Sequence, residues 1–229
     1  MGLAAFFVER PRDTRVHYYT HHEMHFKVTV TIRASRVEKW IRKVKSRYLD
    51  AAPTKCVGLD CEFTDPHNGG KANQRAAVLQ LSVASENLVF QILWANQVPQ
   101  LLKDFLRDRS IMFCGVAIAN DMRMLKHYGI NIGYPVDLQT EVKPNPTTNP
   151  NNPSLHDLNN AILGTKLEKK KKMKKHELAK MSREEREKEE ELIFAWANYP
   201  LSWRQMQYAA LDSRLGFEIA RRHWQLLGY

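Results

Sequence analysis

The stretch KCVGLDCEF, residues 55–63, begins as a buried β-strand and ends in two acidic residues. A short apolar run predicts an interior strand, and Asp60 and Glu62 follow it with one residue between them. Side chains alternate along a strand, so both carboxylates point to one face, with their Cα atoms roughly 6–7 Å apart. Two metal ions about 3.5–4 Å apart fit between such carboxylates and a phosphate. The alternative, two acids at the solvated end of a strand, stays open at this point.

The composition predicts one sizeable basic domain. The chain has 229 residues, 43% of them hydrophobic and 26% charged, with a net charge of +10. A basic balance favours an anionic partner, nucleic acid first. The three cysteines lie in apolar stretches and predict reduced thiols in an intracellular protein of the nucleus, the cytoplasm or both. No stretch has the apolar length of a membrane span and no secretory signal is recognised, so no membrane partner is expected.

The N-terminal segment is expected to lead into this domain. Residues 1–24 hold a histidine cluster and are interpreted as a partly ordered arm; a metal site on His21 and His25, sharing a helix face, is the less favoured alternative. Alternating apolar and polar residues over 25–34 predict a half-buried strand at a sheet edge. Ser35, with a glutamate three residues later, predicts the start of an amphipathic helix with a basic exposed face.

The middle of the chain predicts further strands and a third acid. Residues 64–75 are turn-rich and can overhang the two acids. Residues 77–83, 88–93 and 111–116 are typical of core strands. Asp121 follows the last of these in the first turn of a helix. There it either stabilises the helix dipole or serves a ligand site, since α/β proteins bind ligands at the carboxyl ends of their strands.

The last helix carries a fourth acid in an unusual setting. Tyr208 and Asp212 are four residues apart and therefore neighbours on one helical face. That face is largely apolar, and a buried carboxylate is costly unless it is paired or bound to metal. This position favours the metal interpretation of the acids in the earlier strand.

Residues 166–191 interrupt the domain with a run of charge, basic in its first half and acidic in its second. A capping box at Ser182 and Glu185 and the lack of an apolar stripe predict helices that project from the core. A solvated helix pair is the favoured interpretation, and contact with nucleic acid or a protein partner is the alternative.

In this order, these motifs resemble the DEDDy family of 3′–5′ exonucleases of the RNase H-like (DnaQ-like) superfamily. The motifs are Asp60-x-Glu62, then Gly115-Val116 followed by Asp121 and Leu125, then Tyr208-x-x-x-Asp212. Connecting pieces also match, namely LQLS at 79–82, SLHDL at 154–158 and the segment 196–210. The resemblance covers roughly residues 50–228. It is greatest for the Werner exonuclease-like subgroup, and the small plant forms that include RISC-clearing exoribonucleases share the lead-in VTVTIRASRVEKWI.

Two positions depart from the family pattern. The segment 166–191 is longer than the usual link and lies beside the expected substrate path. Gln207 stands where the sister DEDDh group has histidine, so Tyr208 must serve instead. All four metal carboxylates are nevertheless present, which weighs against an inactive homologue.

The resemblance implies an α/β fold, an RNase H-like mixed five-stranded sheet flanked by helices. It divides the chain into residues 1–49, an arm, strand and basic helix, and residues 50–229, the exonuclease domain with its insertion at 166–191. It implies two Mg²⁺ or Mn²⁺ ions held by Asp60, Glu62, Asp121 and Asp212, with Tyr208 as the fifth catalytic residue, orienting water. The predicted substrate contacts are Phe63, Leu79, Lys71 and Arg75, with core packing the favoured alternative for Leu79.

The implied function is a metal-dependent 3′–5′ exonuclease that releases nucleoside 5′-monophosphates by a two-metal-ion mechanism. Single-stranded or 3′-overhang substrates are expected, with RNA slightly favoured over DNA. A nucleic-acid- or protein-binding module with an exonuclease fold and little turnover is the alternative. Homo-oligomer formation and a protein partner bound through 166–191 are left open.

Overall fold

The computed structural model describes residues 13–21, 24–65, 74–142, 153–164 and 182–226. The strands of this described part are Thr14–His21 (β1), Met24–Thr31 (β2), Cys56–Phe63 (β3), Ala76–Val83 (β4), Glu86–Phe90 (β5), Met112–Gly115 (β6) and Pro135–Asp137 (β7). Its helices are Ala34–Val44 (α1), Gln100–Arg107 (α2), Ile118–Leu125 (α3), Leu138–Glu141 (α4), Leu155–Ile162 (α5), Arg183–Phe194 (α6) and Trp203–Leu226 (α7).

The strands form one mixed sheet in the order β1-β2-β5-β4-β3-β6-β7. Strands β3 to β7 are the five-stranded sheet predicted from the sequence, so the α/β architecture is confirmed. β3 lies inside this sheet, antiparallel to β4 and parallel to β6. Because both of its faces are covered, its first half is continuously apolar rather than alternating.

The N-terminal segment extends the sheet further than the sequence indicated. Residues 14–21, interpreted as part of an arm, form β1, and β2 is therefore an inner strand between β1 and β5 instead of an edge. In the β1–β2 ladder His21 pairs with Met24, and His25 pairs with the neighbouring Thr20. Successive pairs point to opposite faces, so His21 and His25 do not share a helix face and cannot bind one metal ion together.

Helix α1 begins one residue earlier than predicted. Ala34 is its first residue, and Arg33 occupies the N-cap without a side-chain cap hydrogen bond. The backbone N–H of Ala34 instead donates to Oδ1 of Asn96 at 3.0 Å. A tertiary contact therefore takes the place of the local capping box expected at Ser35.

Helices cover the two faces of the sheet. Lys43 of α1 forms an ion pair with Glu86, and α2 packs beside α1 on this face. The next residue along β5, Asn87, points to the opposite face and donates to the carbonyl oxygen of Ala210 in α7 at 2.7 Å. Helix α7 therefore crosses the face opposite to α1.

Gly58 allows α7 to approach the middle of β3. A Cβ atom at this position would overlap the carbonyl oxygen of Ser213 and lie 2.6 Å from the backbone nitrogen of Phe217. Asp60 is two residues along the same strand and so shares this face. The missing side chain of Gly58 thus places α7 directly over the strand that carries the first two acids.

Helix α6 is the described part of the charged segment 166–191. It begins at the predicted capping box, in which Glu185 N–H donates to Ser182 Oγ at 3.3 Å and Ser182 N–H donates to Glu185 Oε2 at 3.1 Å. Its far end is tied to α7 by Gln205, whose Nε2 donates to the carbonyl oxygens of Glu191 and Ala195. Residues 166–181, with the lysine run, lie outside the described residues. Among the described residues, no helix combines the length and apolar character needed to cross a bilayer.

Candidate metal centre

Three predicted acids converge between β3 and α7. Asp60, Glu62 and Asp212 each offer a carboxylate oxygen, and these oxygens all lie within 4.8 Å of one another. The two-residue spacing of Asp60 and Glu62 puts both on the α7 face of the sheet, and the close crossing at Gly58 brings Asp212 to them. The predicted clustering of these residues is therefore present in the structure.

Asp121 joins this group from the beginning of α3. Its side chain is buried, and its charge acts on Asp60 more strongly than that of any other carboxylate. The chain turns into α3 at Ala117, which adopts a left-handed conformation with φ of 55°. This sharp turn directly after β6 places the first turn of α3 at the carboxyl end of the central strands.

Asp137 holds that turn and was missed by the sequence analysis. Its Oδ1 accepts hydrogen bonds from the backbone N–H of Ala117 at 3.2 Å and of Gln139 at 3.0 Å. Its position at the end of β7, beside β6, is the signal that could have found it, because Asp121 was selected on the same criterion. Asp137 therefore fixes the backbone that presents Asp121.

The carboxylates of the cluster shift one another's ionisation. Burial raises the pKa of Asp60 well above its ordinary value, and the charges of Asp121, Glu62 and Asp212 raise it further. Burial, followed by the charge of Asp137, raises the pKa of Asp121 to about 8. Acids brought together without a cation retain protons at neutral pH. The cluster consequently favours ligands that bring positive charge.

Tyr208 lies one turn before Asp212 on α7 and hydrogen-bonds to it. The charge of Asp212 raises the pKa of Tyr208 above the usual range of a phenol, and burial and the charges of Glu62 and Asp60 add to this effect. Its ring packs against Trp196, with the ring centroids 5.9 Å apart. Tyr208 is therefore a positioned hydroxyl group that stays protonated.

The predicted substrate contacts lie in different environments. Phe63 is half-buried at the end of β3, and Arg75 is exposed across from it, where its N–H donates to Thr64 Oγ1 at 3.2 Å. Leu79 is fully buried and pairs with Cys61, which points away from the acids. A side chain without exposed surface does not fit a substrate contact, so the packing alternative holds for Leu79. Lys71 lies outside the described residues.

Comparison with known proteins identifies the family. A family model described as 3′–5′ exonuclease matches residues 33–227. The chain belongs to the 3′–5′ exonuclease family. The matched residues include every acid of the cluster, helix α1 and strands β3 to β7.

The relatives of this exonuclease chain are longer proteins. It is 30% identical over 168 residues to the Mus musculus "Bifunctional 3′-5′ exonuclease/ATP-dependent helicase WRN", an alignment covering 72% of the chain and 11% of that protein. It is 34% identical over 88 residues to the Drosophila melanogaster "Exonuclease 3′-5′ domain-containing protein 2", covering 37% of the chain and 14% of that protein. The chain thus spans well under a fifth of these relatives.

A solved structure shows the fold. The Aedes aegypti Nibbler EXO domain superposes with a TM-score of 0.58 at 15% identity, covering 87% of this exonuclease chain and 88% of that domain. At this identity the likeness concerns the fold alone. It confirms the RNase H-like class predicted from the sequence.

We expect the metal-free exonuclease to lose stability as pH rises from about 4 to about 8. An acid whose native pKa is raised binds more protons in the folded state than in the unfolded chain within this window, so the free energy of unfolding falls with pH. Asp121, with a native pKa of about 8, defines the upper limit. The measurement is the melting temperature in EDTA across this range. Asp121→Asn should flatten the decline, whereas Asp104→Asn, an exposed acid on α2, should leave it unchanged. An equal slope in wild type and Asp121→Asn would contradict the prediction.

Proposed function

We propose that this chain is a metal-dependent 3′–5′ exonuclease that hydrolyses nucleic acid from the 3′ end by a two-metal-ion mechanism. The observation that carries the proposal is the convergence of Asp60, Glu62 and Asp212 within 4.8 Å, with Asp121 raising the pKa of Asp60 from a fourth position. Membership of the 3′–5′ exonuclease family supports the same activity. The catalytic domain is proposed to comprise residues 50–229, with residues 1–49 leading into it.

The donor set fits hard divalent cations. Carboxylate oxygens are the ligands that Mg²⁺ and Mn²⁺ prefer, and two such cations would offset the burial and the repulsion from neighbouring acids that raise the pKa of Asp60. Asp60, Glu62, Asp121 and Asp212 would hold the cations, and Asp60 is the acid on which the other three act.

The remaining chemistry follows from the side chains around the acids. Bound divalent cations supply an activated water and stabilise the charge that develops on the scissile phosphate and on the leaving 3′ oxygen. Tyr208 would orient the attacking water through its hydroxyl group rather than remove a proton from it, because a phenol whose pKa is raised is a poor base at neutral pH. Cleavage of the bond between phosphorus and the leaving 3′ oxygen releases nucleoside 5′-monophosphates.

The proposed substrate is a 3′ end in a single strand or an overhang. Phe63 and Arg75 flank the far end of β3, where a half-buried ring can stack on a base and an exposed guanidinium can contact a phosphate. The resemblance of residues 28–41 to the small plant exoribonucleases slightly favours RNA over DNA. DNA is the competing substrate class.

The test is a nuclease assay on substrates labelled at the 5′ end. Single strands, blunt duplexes and 3′ overhangs in RNA and DNA are incubated with Mg²⁺, Mn²⁺ or EDTA. We expect a ladder that shortens from the 3′ end with either metal and is absent in EDTA. Asp212→Asn, purified in parallel, should lack the ladder, which excludes a contaminating nuclease. Folded protein that binds these substrates without any turnover would contradict the proposal and favour the binding-module alternative.

Tyr208→Phe is expected to lower kcat by about 10–100-fold. The substitution removes the hydroxyl group that orients water and keeps the ring that packs against Trp196. Because Tyr208 orients water and does not act as a base, kcat of both proteins should depend on pH in the same way between pH 7 and 9. Tyr134→Phe, at an exposed position, is the control. A rate that rises with pH only in the wild type would identify Tyr208 as a base and contradict this role.

A further inference from the structure

Gln80 is a buried amide that finds no partner among the described residues. Its side chain has no exposed surface, and neither Nε2 nor Oε1 makes a hydrogen bond within the described part of the chain. Buried amides are normally satisfied, because an unmade hydrogen bond costs stability. Gln80 therefore differs from what is expected of a purely structural residue.

Asn87 shows what a satisfied amide looks like on the same face of the sheet. Its Nδ2 donates to the carbonyl oxygen of Ala210 at 2.7 Å, and its Oδ1 accepts from Ser82 Oγ at 2.7 Å. Ser82 is two residues from Gln80 and so points to the same side of β4. Helix α7 thus supplies hydrogen-bonding groups to this face of the sheet. Among the described residues, the amide of Gln80 bonds to none of them.

Asp60 is the polar residue directly opposite Gln80 in the strand ladders. Across the β4–β5 pair it faces Val89, and across the β3–β4 pair it faces Asp60. On its own strand Val78 is apolar, and the hydroxyl group of Ser82 already donates to Asn87. Directly opposite residues of antiparallel strands have Cβ atoms about 4.5–5.5 Å apart, which a glutamine side chain spans.

We propose that Gln80 is a positioning residue of the metal centre, whose side-chain amide donates to the Asp60 carboxylate directly or through one buried water. The inference rests on the proposed function, because it assigns Gln80 the orientation of Asp60, a proposed metal ligand. Carboxylates that bind metal are held by hydrogen bonds from surrounding residues. A glutamine suits this place because its amide adds donors without adding charge to a site that already holds four acids.

The test compares Mn²⁺ affinity with the stability of the metal-free protein. Gln80→Leu and Gln80→Met both remove the amide and keep a side chain of similar size. Asp212→Asn serves as the variant that removes a ligand, and Leu81→Met, buried on the opposite face of the same strand, is the matched control. Mn²⁺ binding is measured by titration calorimetry, and melting temperatures are recorded in EDTA.

The two Gln80 variants should raise the Kd for Mn²⁺ by about tenfold. Their melting temperatures in EDTA should equal or exceed that of the wild type, because an unsatisfied amide has been removed. Leu81→Met should leave the Kd within about twofold of the wild-type value. Wild-type affinity in both Gln80 variants, with binding lost in Asp212→Asn, would overturn the role of Gln80 and leave the proposed function standing. A lower melting temperature in both variants together with an unchanged Kd would assign Gln80 a purely structural role and overturn the proposal. No Mn²⁺ binding by the wild type would refute the proposed metal centre itself.

Discussion

Asp60→Asn is expected to lower kcat by roughly 10³-fold or more while the protein remains folded. Asp60 is the acid on which Asp121, Glu62 and Asp212 all act, and it is a proposed ligand of the cations. Asparagine preserves the shape of the side chain but removes the charge, so the site loses one of the negative charges that two divalent cations require. The effect should appear in kcat and in Mn²⁺ affinity together, measured on the substrate that the wild type prefers.

The same substitution should not destabilise the metal-free protein. Burial and three neighbouring charges raise the pKa of Asp60, which means that ionised Asp60 opposes folding when no cation is present. The melting temperature of Asp60→Asn in EDTA at pH 8 is therefore expected to equal or exceed the wild-type value. Asp104→Asn, on the face of the sheet opposite to α7, should change neither activity nor stability. Activity close to that of the wild type in Asp60→Asn would refute the metal centre.

The parts of the molecule that the sequence predicts are set by local interactions. Strand alternation alone places Asp60 and Glu62 on one face, and their oxygens lie together in the structure. The capping box at Ser182 forms as predicted, because it depends on groups three residues apart, and boxes of the same kind begin at Ser154 and Ser202. Such features do not depend on how the rest of the chain packs.

Strand β1 escaped prediction because its pattern is inverted. Val16 and Tyr18 are exposed. His17 points toward α7 and packs edge-on against Trp203, with the ring centroids 5.1 Å apart. Tyr19, buried beside it, stacks on Phe26 of β2. The partner of this strand face is an aromatic side chain almost 190 residues away, so local periodicity carries no sign of it.

Asp137 and Gln80 were missed for a related reason. The significance of Asp137 lies in its hydrogen bond to Ala117, a backbone group twenty residues earlier in the chain. Gln80 matters because of strand register, which pairs it with Asp60 across the hairpin-like β3–β4 contact. The residues next to each of them in the sequence do not show what it will face, which is set by the assembled sheet.

Gly58→Ala is expected to disrupt the packing of α7 against β3. The added Cβ would overlap the carbonyl oxygen of Ser213 and crowd the backbone nitrogen of Phe217, so α7 must move away from β3. Backbone atoms of a packed helix cannot move aside as the end of a flexible side chain can. Overpacking of this kind costs typically 1–3 kcal/mol and sometimes more, and we expect the free energy of unfolding in urea to fall by at least about 2 kcal/mol.

The activity of Gly58→Ala should fall further than its stability alone explains. Asp212 lies next to Ser213, so a shift of α7 moves this acid away from Asp60 and Glu62, and a misplacement of about 1 Å can cost 10²-fold in rate. Activity is measured at a temperature where the variant is fully folded, alongside its Mn²⁺ affinity. Gly216→Ala is the matched control, because its Cβ would lie 3.3 Å from the Cys114 carbonyl oxygen, a tight contact that the helix propensity of alanine offsets. Full activity in folded Gly58→Ala would show that the position of α7 over β3 does not determine the geometry of the acids.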